Sequence, residues 1–474
     1  MGDAPDSEDR GTGLGHSQGE AEVHGASFRD PAGFVFRQGG VLYRQVNEAY
    51  LPHYRRLMSG LYQDLTSAGL LVEHEQMEVA GPTAQAALVL RPEAIRYVSY
   101  PYEWSFSQLR DAALLTLEIQ QRALSHGQSL KDASAYNVQY VGARPIFIDT
   151  LSFEMLDAGK PWVAYRQFCQ HFLAPLAVMA YTDVRTGNLL RHYLDGLPLD
   201  LACALLPARA WLRYSLLAHV RLHAASQRRA PEPGSASKPV MNLRMHQALV
   251  ASLRRAVEKI PTPGDASVWG DYYDDTNYSA PAMAAKERIV GAWLAEAGRA
   301  AAMVVDLGAN TGRFSALAAN SGAYVVAHDL DEVAVDRHYR ALAGEARILP
   351  LVLDLTNPSP AGGWHGMERS SFFERSRADV VLALALVHHL AIGNNLPLMH
   401  IVNFLADLST TLIVEFVPRE DSQVQRMLET REDIFGDYTR ESFEKALGQR
   451  FEAIEHAPVA DSQRVLYRAR ARTC

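Results

Sequence analysis

The sequence predicts an α/β fold class: a doubly wound, mostly parallel sheet in the C-terminal half, preceded by a mixed α+β unit. Three observations carry this expectation. From about residue 302 onward, short apolar runs ending at polar or acidic residues alternate with helical stretches; unbroken apolar strands separated by helices belong to a parallel sheet covered on both faces. A stretch rich in Pro, Ser, Ala and charge, 225–240, interrupts the chain and reads as a linker. The 474 residues, 48% hydrophobic and 21% charged, form an ordinary globular mix, and roughly 150 residues per domain gives about two to three domains.

Taken in order, residues 1–26 are mostly Gly, Ser, Asp and Glu with little to bury, and are expected to be a disordered tail. The unit 27–224 opens with a hairpin at 34–46. Helical stretches come next at 51–68 and 106–126, then an apolar strand at 145–149 and helical stretches at 162–180 and 199–224. After the linker, the unit 241–474 opens on a helical stretch at 243–260 and a Pro- and Gly-containing break at 261–265. Strands then read at 302–306, 323–327, 348–353, 379–387 and 412–416, with helices at 315–320 and 332–342. In such sheets the ligand sits beyond the carboxyl ends of the strands, so the polar residues there are the candidates for chemistry.

Charge and cysteine content exclude several classes. Lys plus Arg is 46 against 54 for Asp plus Glu, a net charge of −8, so there is no overall positive field for a phosphate backbone and nucleic acid is disfavoured as a partner. Cys169, Cys203 and Cys474 are too few and too scattered for a disulfide framework or a zinc site, which suits a reducing cytosol. The longest clean apolar run, 172–181, is about half the roughly 20 residues a membrane helix needs. Asp3, Asp6, Glu8 and Asp9 occupy a start with no apolar core, unlike a signal peptide. These features lead to the expectation of a cytoplasmic chain with no membrane partner.

The sharpest motif is Val-Val-Asp-Leu-Gly-Ala-Asn-Thr-Gly-Arg-Phe at 304–314, a strand that runs into a Gly-x-x-x-Gly turn and opens a helix. Gly308 and Gly312 allow close backbone approach and unusual dihedrals. The spacing is not that of a dinucleotide fold, and no Gly-Lys-Ser/Thr is present for a nucleotide triphosphate. This segment resembles motif I of class I S-adenosylmethionine-dependent methyltransferases, whose domain is Rossmann-like. The resemblance spans about 269–470 and implies S-adenosyl-L-methionine as cofactor, held by Asp306, Gly308, Asn310 and Gly312. It further implies that Asp329, 21 positions after Gly308, binds the ribose hydroxyls, with Asp331 as a rival, and that Asp354 lies near the adenine amino group. A carboxylate can accept two hydrogen bonds from a cis-diol.

The acceptor is read from the carboxyl end of the run 378–390. There is no Asn/Asp-Pro-Pro-Tyr and no Pro-Cys, so the usual nucleic-acid amine and cytosine C5 chemistries are disfavoured. His388 and His389 stand there instead. An imidazole with an ordinary pKa near 6.5 suits removal of a proton from a hydroxyl or amine at neutral pH; the alternative is that the pair only shapes the pocket, since positioning alone contributes much of a methyl transfer. Glu415, at the end of the 412–416 strand, is expected to point to the site, and the aromatic and acidic segment 269–278 either to line the acceptor pocket or to serve as a lid or domain contact. No metal is expected there.

In the N-terminal unit, Asp132, an Asn five positions on (Asn137) and an Asp 12 beyond that (Asp149) resemble the catalytic segment of protein kinases and aminoglycoside phosphotransferases. The resemblance implies a kinase-like lobe, with Asn137 and Asp149 as magnesium ligands if it is active. Leu130 and Lys131 replace the family's His-Arg, Thr150 and Leu151 replace its Phe-Gly, and Arg44 is the only cation near the position of its strand lysine. The whole arrangement is similar to bacterial methyltransferases that include a nodulation-associated member. The expected activity is methyl transfer to oxygen or nitrogen of a small-molecule or glycan-like acceptor. The rivals are a protein or RNA acceptor recognised by the N-terminal unit, and a bifunctional chain with an ATP-binding lobe. No feature sets the oligomeric state.

Overall fold

The structure, a computed structural model, describes residues 20–228, 241–264, 279–298, 303–429 and 432–472. Residues 1–19 of the expected tail, most of the 225–240 linker, the 269–278 segment and Cys474 lie outside the described residues. The chain forms two compact units, one from Met1–Pro52 with Glu73–Ala94, the other from His53–Val72 with Ile95–Cys474.

The first unit is an antiparallel sheet of β1 (Glu22–Val23), β2 (Gly33–Gln38), β3 (Val41–Asn47), β4 (His74–Met77) and β5 (Ala86–Pro92), in the order β1-β2-β3-β5-β4. The expected hairpin is β2–β3, closed at Gly39-Gly40 and held by Phe36 stacked on Tyr43 at 5.5 Å. The end of the expected tail is not tail, because Glu22 and Val23 pair with Arg37 and Phe36.

The second unit differs from the expected division at 225–240. The reason is its core: one apolar cluster runs from Leu109, Phe168 and Phe172 to Val305 and Val381, on both sides of that stretch. The helix Phe106–Ser125 starts with a capping box between Ser105 and Gln108. Buried polar groups then tie its first turns to the C-terminal residues. Ser107 donates from N and Oγ to Asp336 at 2.7 and 3.0 Å, the Gln108 amide donates to the Pro350 carbonyl at 3.0 Å, and the Tyr339 hydroxyl donates to Asp111 at 2.7 Å. Groups buried this far from water need partners, so this seam is built rather than incidental. After the helix, β6 (Gln128–Leu130) pairs with β9 (Phe153–Met155), and the hairpin of β7 (Val138–Val141) and β8 (Arg144–Phe147) lies between them in sequence.

The remaining strands form a seven-stranded sheet: β10 (Met303–Leu307), β11 (Tyr324–Asp329), β12 (Ile348–Val352), β13 (Ala378–Ala383), β14 (Ser409–Phe416), β15 (Phe451–Pro458) and β16 (Val465–Ala471). Their order is β12-β11-β10-β13-β14-β16-β15, parallel except for the β15–β16 hairpin, which runs antiparallel beside β14. The helices Ala280–Gly298 and Arg313–Asn320 cover one face, with Val290, Leu294 and Ala318 packed on Val304, Val325 and Val380. The larger cluster covers the other face. This is the doubly wound, mostly parallel sheet expected from the alternation of apolar runs. The order reverses at β10, since β11 lies on one side and β13 on the other. Among the described residues no helix is long and apolar enough to cross a membrane.

Candidate active site

A cavity of about 450 Å³ opens at that reversal, over the carboxyl ends of the parallel strands, where a doubly wound sheet places its ligand. The turn after β10 forms one wall. Gly308 (φ +74°), Asn310 (φ +51°) and Gly312 (φ +85°) all have left-handed backbone; glycine adopts it freely and asparagine tolerates it better than most residues. The amides of Gly308 and Ala309 donate to the His328 carbonyl at 2.8 and 2.9 Å, which fastens the turn to β11. Gly308 and Asn310 line the cavity; Gly312 does not. A Cβ on Gly312 would collide with the His338 ring, so this glycine makes room for helix packing.

Three of the expected acids line the cavity: Asp306, Asp329 and Asp354. Asp329 accepts from the Asn310 amide at 2.7 Å and the Asp331 amide at 2.9 Å. Burial pushes its pKa up to about 6 against these favourable hydrogen bonds. Asp331 faces elsewhere. It caps the helix Glu332–Ala341, accepting from Val333 and Ala334 at 2.9 and 3.1 Å. Asp354 accepts from the Thr356 amide and hydroxyl at 2.8 and 2.6 Å. Asp306 is buried, accepts from the Ser315 hydroxyl at 2.7 Å, and is also pushed up to about 6, chiefly by burial.

The double histidine is split. The expected 379–387 strand ends at Ala383, and Ala385 takes left-handed backbone (φ +51°), so His388 and His389 fall at the start of a helical turn, His389–Gly393. His389 lines the cavity. His388 is buried behind it, with ring centroids 4.1 Å apart, and its Nδ1 has no hydrogen-bond partner among the described residues. Burial holds both imidazoles below the ordinary histidine value, His389 down to about 4 and His388 well below the ordinary value. The expected titration near 6.5 therefore does not describe either ring.

Glu415 does not line the cavity. It is fully buried on the face covered by the helix Ala280–Gly298, where Lys286 Nζ donates to its Oε2 at 2.6 Å and Arg464 lies 3.9 Å from its Oε1. Lys286 does line the cavity, and nothing in the local sequence pattern marked it.

In the kinase-like segment, the Ser152 hydroxyl donates to Asp149 while the Asn137 amide donates to Ser152 at 3.2 Å, so the two expected ligands meet on one side chain. Asp132 accepts from the Ser134 amide at 2.8 Å in a local turn.

No protein-family model matches the chain. It is 36% identical over 452 residues to the nodulation protein NoeA of Rhizobium meliloti (strain 1021), covering 93% of this chain and 94% of that one. Solved structures similar to part of the chain include magnesium protoporphyrin IX methyltransferase (ChlM) of Synechocystis PCC 6803 with bound SAH (19% identity, 43% of this chain and 93% of that chain, TM-score 0.31). Another is the N-methyltransferase NodS of Bradyrhizobium japonicum WM9 (12% identity, 40% of this chain and 97% of that chain, TM-score 0.28).

Proposed function

We propose, of a chain that belongs to the family of the nodulation protein NoeA, that it is an S-adenosylmethionine-dependent methyltransferase acting at oxygen or nitrogen of a small-molecule or glycan-like acceptor. One observation carries the reading: Asp306, Gly308 and Asn310 of the segment that resembles motif I converge with Asp329 and Asp354 on one cavity at the switch point of the sheet. The cavity's size and make-up fit the cofactor. A glycine with left-handed backbone forms its wall, Asp329 and Asp354 present carboxylates, and Leu330, Leu353 and Leu355 supply apolar surface for a flat ring.

When bound, S-adenosylmethionine supplies a methyl group on a sulfonium, an electrophile that needs alignment more than activation. Each oxygen of Asp329 already accepts one backbone amide and keeps a second lone pair for a ribose hydroxyl. Gly308 keeps the wall free of a side chain where the ligand passes. His389, neutral at any pH well above 4, accepts the acceptor's hydroxyl or amine hydrogen and fixes its direction. An imidazole with so low a pKa is a weak proton acceptor, so positioning carries more of the rate than base catalysis.

A screen of small hydroxyl and amine acceptors, with S-adenosylhomocysteine release as readout, tests the reading. Acceptor-dependent release supports it, and none across hydroxyl, amine and glycan panels with folded protein removes it. A second reading rests on the meeting of Asn137 and Asp149 at Ser152, which supports a kinase-like arrangement of 128–155. A rise in melting temperature of the full chain with magnesium and ATP would favour it, and no shift at millimolar nucleotide would count against it.

A further inference from the structure

Charge is unevenly placed along this chain. Residues 201–257 hold nine Lys and Arg against one acid, Glu232, in a chain whose net charge is −8. Such a block makes a local positive field that the overall charge hides. Its described part includes the turn Ala208–Leu212 and a helical run, 214–228. A 2.9 Å hydrogen bond between His219 Nε2 and the Ser252 hydroxyl ties this run to the helix Leu243–Glu258.

The outer face of the turn and the run is apolar where a solvated face is polar. Leu212 and Tyr214 are 87% and 79% exposed, the two most exposed large hydrophobic side chains among the described residues. Leu222, about two helical turns after Tyr214, is also exposed. Arg209, Arg213 and Arg221 are exposed beside them. Arg209 donates to the Tyr181 carbonyl at 2.9 Å, and the Arg221 guanidinium lies 5.4 Å from the Trp211 ring, which joins the run to the turn. No carboxylate among the described residues pairs with any of the three.

Single exposed hydrophobics are ordinary, but three of them among three unpaired cations need a partner of matching chemistry. Leu212 and Tyr214 stand out from the surface almost fully solvated, so the matching partner is a soft apolar phase that closes around them. The arginines require that phase to carry anionic groups at its boundary. The interface of an anionic bilayer offers both: acyl chains for leucine, the head-group level for tyrosine, and phosphates for guanidinium groups on long apolar stems.

We propose that Leu212, Tyr214 and Leu222, with Arg209, Arg213 and Arg221, form a docking surface for an anionic phospholipid bilayer. This revises the expectation of a chain with no membrane partner, which followed from the lack of a spanning run. A surface contact needs no spanning helix, and none is present among the described residues.

Co-sedimentation of the full chain with vesicles tests it. At about 50 mM salt the wild type is expected to bind phosphatidylcholine vesicles containing about 30% phosphatidylserine at least about tenfold more tightly than pure phosphatidylcholine, and to lose most of that preference at about 0.5 M. Arg213→Gln/Arg221→Gln should weaken binding about 25-fold, at about fivefold per arginine. Leu212→Ala/Tyr214→Ala should weaken it about tenfold or more through lost apolar insertion. Both variants change exposed side chains, and an unchanged melting temperature checks their fold. Heparin, a polyanion with no apolar phase, should bind the Leu212→Ala/Tyr214→Ala variant as it binds the wild type. No wild-type binding to the anionic vesicles at low salt overturns the proposal. So does vesicle binding that Leu212→Ala/Tyr214→Ala keeps in full, which would make the face a site for a soluble polyanion. A wild-type dimer in sedimentation velocity that the same variant dissociates also overturns it, with a second copy of the chain as the occupant.

Discussion

The two ends of the cavity are built by different means. At the β11–β12 end the backbone does the shaping: left-handed residues at 308 and 310 fold the turn, and the amides of Asn310 and Asp331 hold the Asp329 carboxylate in place. At the β13–β14 end buried side chains do it, through the Lys286–Glu415 pair, Arg464 and the adjoining rings of His388 and His389. The first construction tolerates changes of side chain but not of backbone. The second is the reverse: Glu415, Lys286, Arg464 and His388 are buried polar or charged groups, so removing one strands another. Mutations at the two ends should therefore fail in different ways.

The largest effect is expected at the side-chain end. Glu415→Ala leaves Lys286 buried without its carboxylate and should cost about 3–5 kcal/mol of stability, measured by denaturant unfolding. A loss under about 1 kcal/mol would mean that the pair is hydrated and that the contrast is overdrawn. Next comes the backbone end. Asp329→Ala should lower S-adenosylhomocysteine affinity by about 1.5–3 kcal/mol through lost charge-assisted hydrogen bonds. Asp331→Ala should instead leave affinity intact and cost about 1 kcal/mol of stability as a lost helix cap. A reversed order would assign the ribose to the wrong acid.

A smaller effect separates the histidines. His389→Ala should lower turnover by about a hundredfold or less, at the weak end of general-base contributions, with cofactor affinity kept. His388→Ala should act through stability, because its ring does not reach the cavity. Loss of turnover by a well-folded His388→Ala alone would reverse the assignment.

The smallest and most diagnostic effect is in pH. Asp306 and Asp329 have pKa values raised to about 6, so they are ionised above that pH and neutralise as pH falls through it. S-adenosylhomocysteine affinity should fall below about pH 6 for this reason. His389 has its pKa lowered to about 4, so it stays neutral down to that pH. Turnover at saturating cofactor and acceptor should then hold until the pH approaches 4. A turnover limb near 6.5 with flat affinity would contradict both assignments.

Legibility in the sequence divides along the same contrast. The backbone end is written in one contiguous stretch, 304–314, and in the acids that close successive strands, so its glycines and carboxylates could be placed from spacing. Asp329 and Asp331 both fit the spacing; that Asp331 caps the next helix while Asp329 lines the cavity is not visible in the sequence. The side-chain end joins Lys286 to Glu415 across 129 positions, and no local period connects them. For the same reason the sequence predicts a Glu415 that faces the site, whereas it pairs with Lys286 on a covering helix, and the spacing of Gly312 does not reveal that it lies against His338. The expected boundary at 225–240 was a matter of composition, whereas the seam formed by Ser107, Gln108 and Asp111 with Asp336, Pro350 and Tyr339 is set by pairings more than 200 positions apart.

The central claim is that the cavity at the β10–β13 switch point holds S-adenosylmethionine against Gly308. Calorimetric titration of S-adenosylhomocysteine into the wild type and into Gly308→Ala tests it most directly. Gly308 lines the cavity in a left-handed conformation, so the expected result is one site per chain in the wild type. The alanine variant should still melt cooperatively but bind more than about tenfold more weakly, about 1.4 kcal/mol or more. No heat of binding in the wild type, or equal affinity in a folded Gly308→Ala, would contradict it.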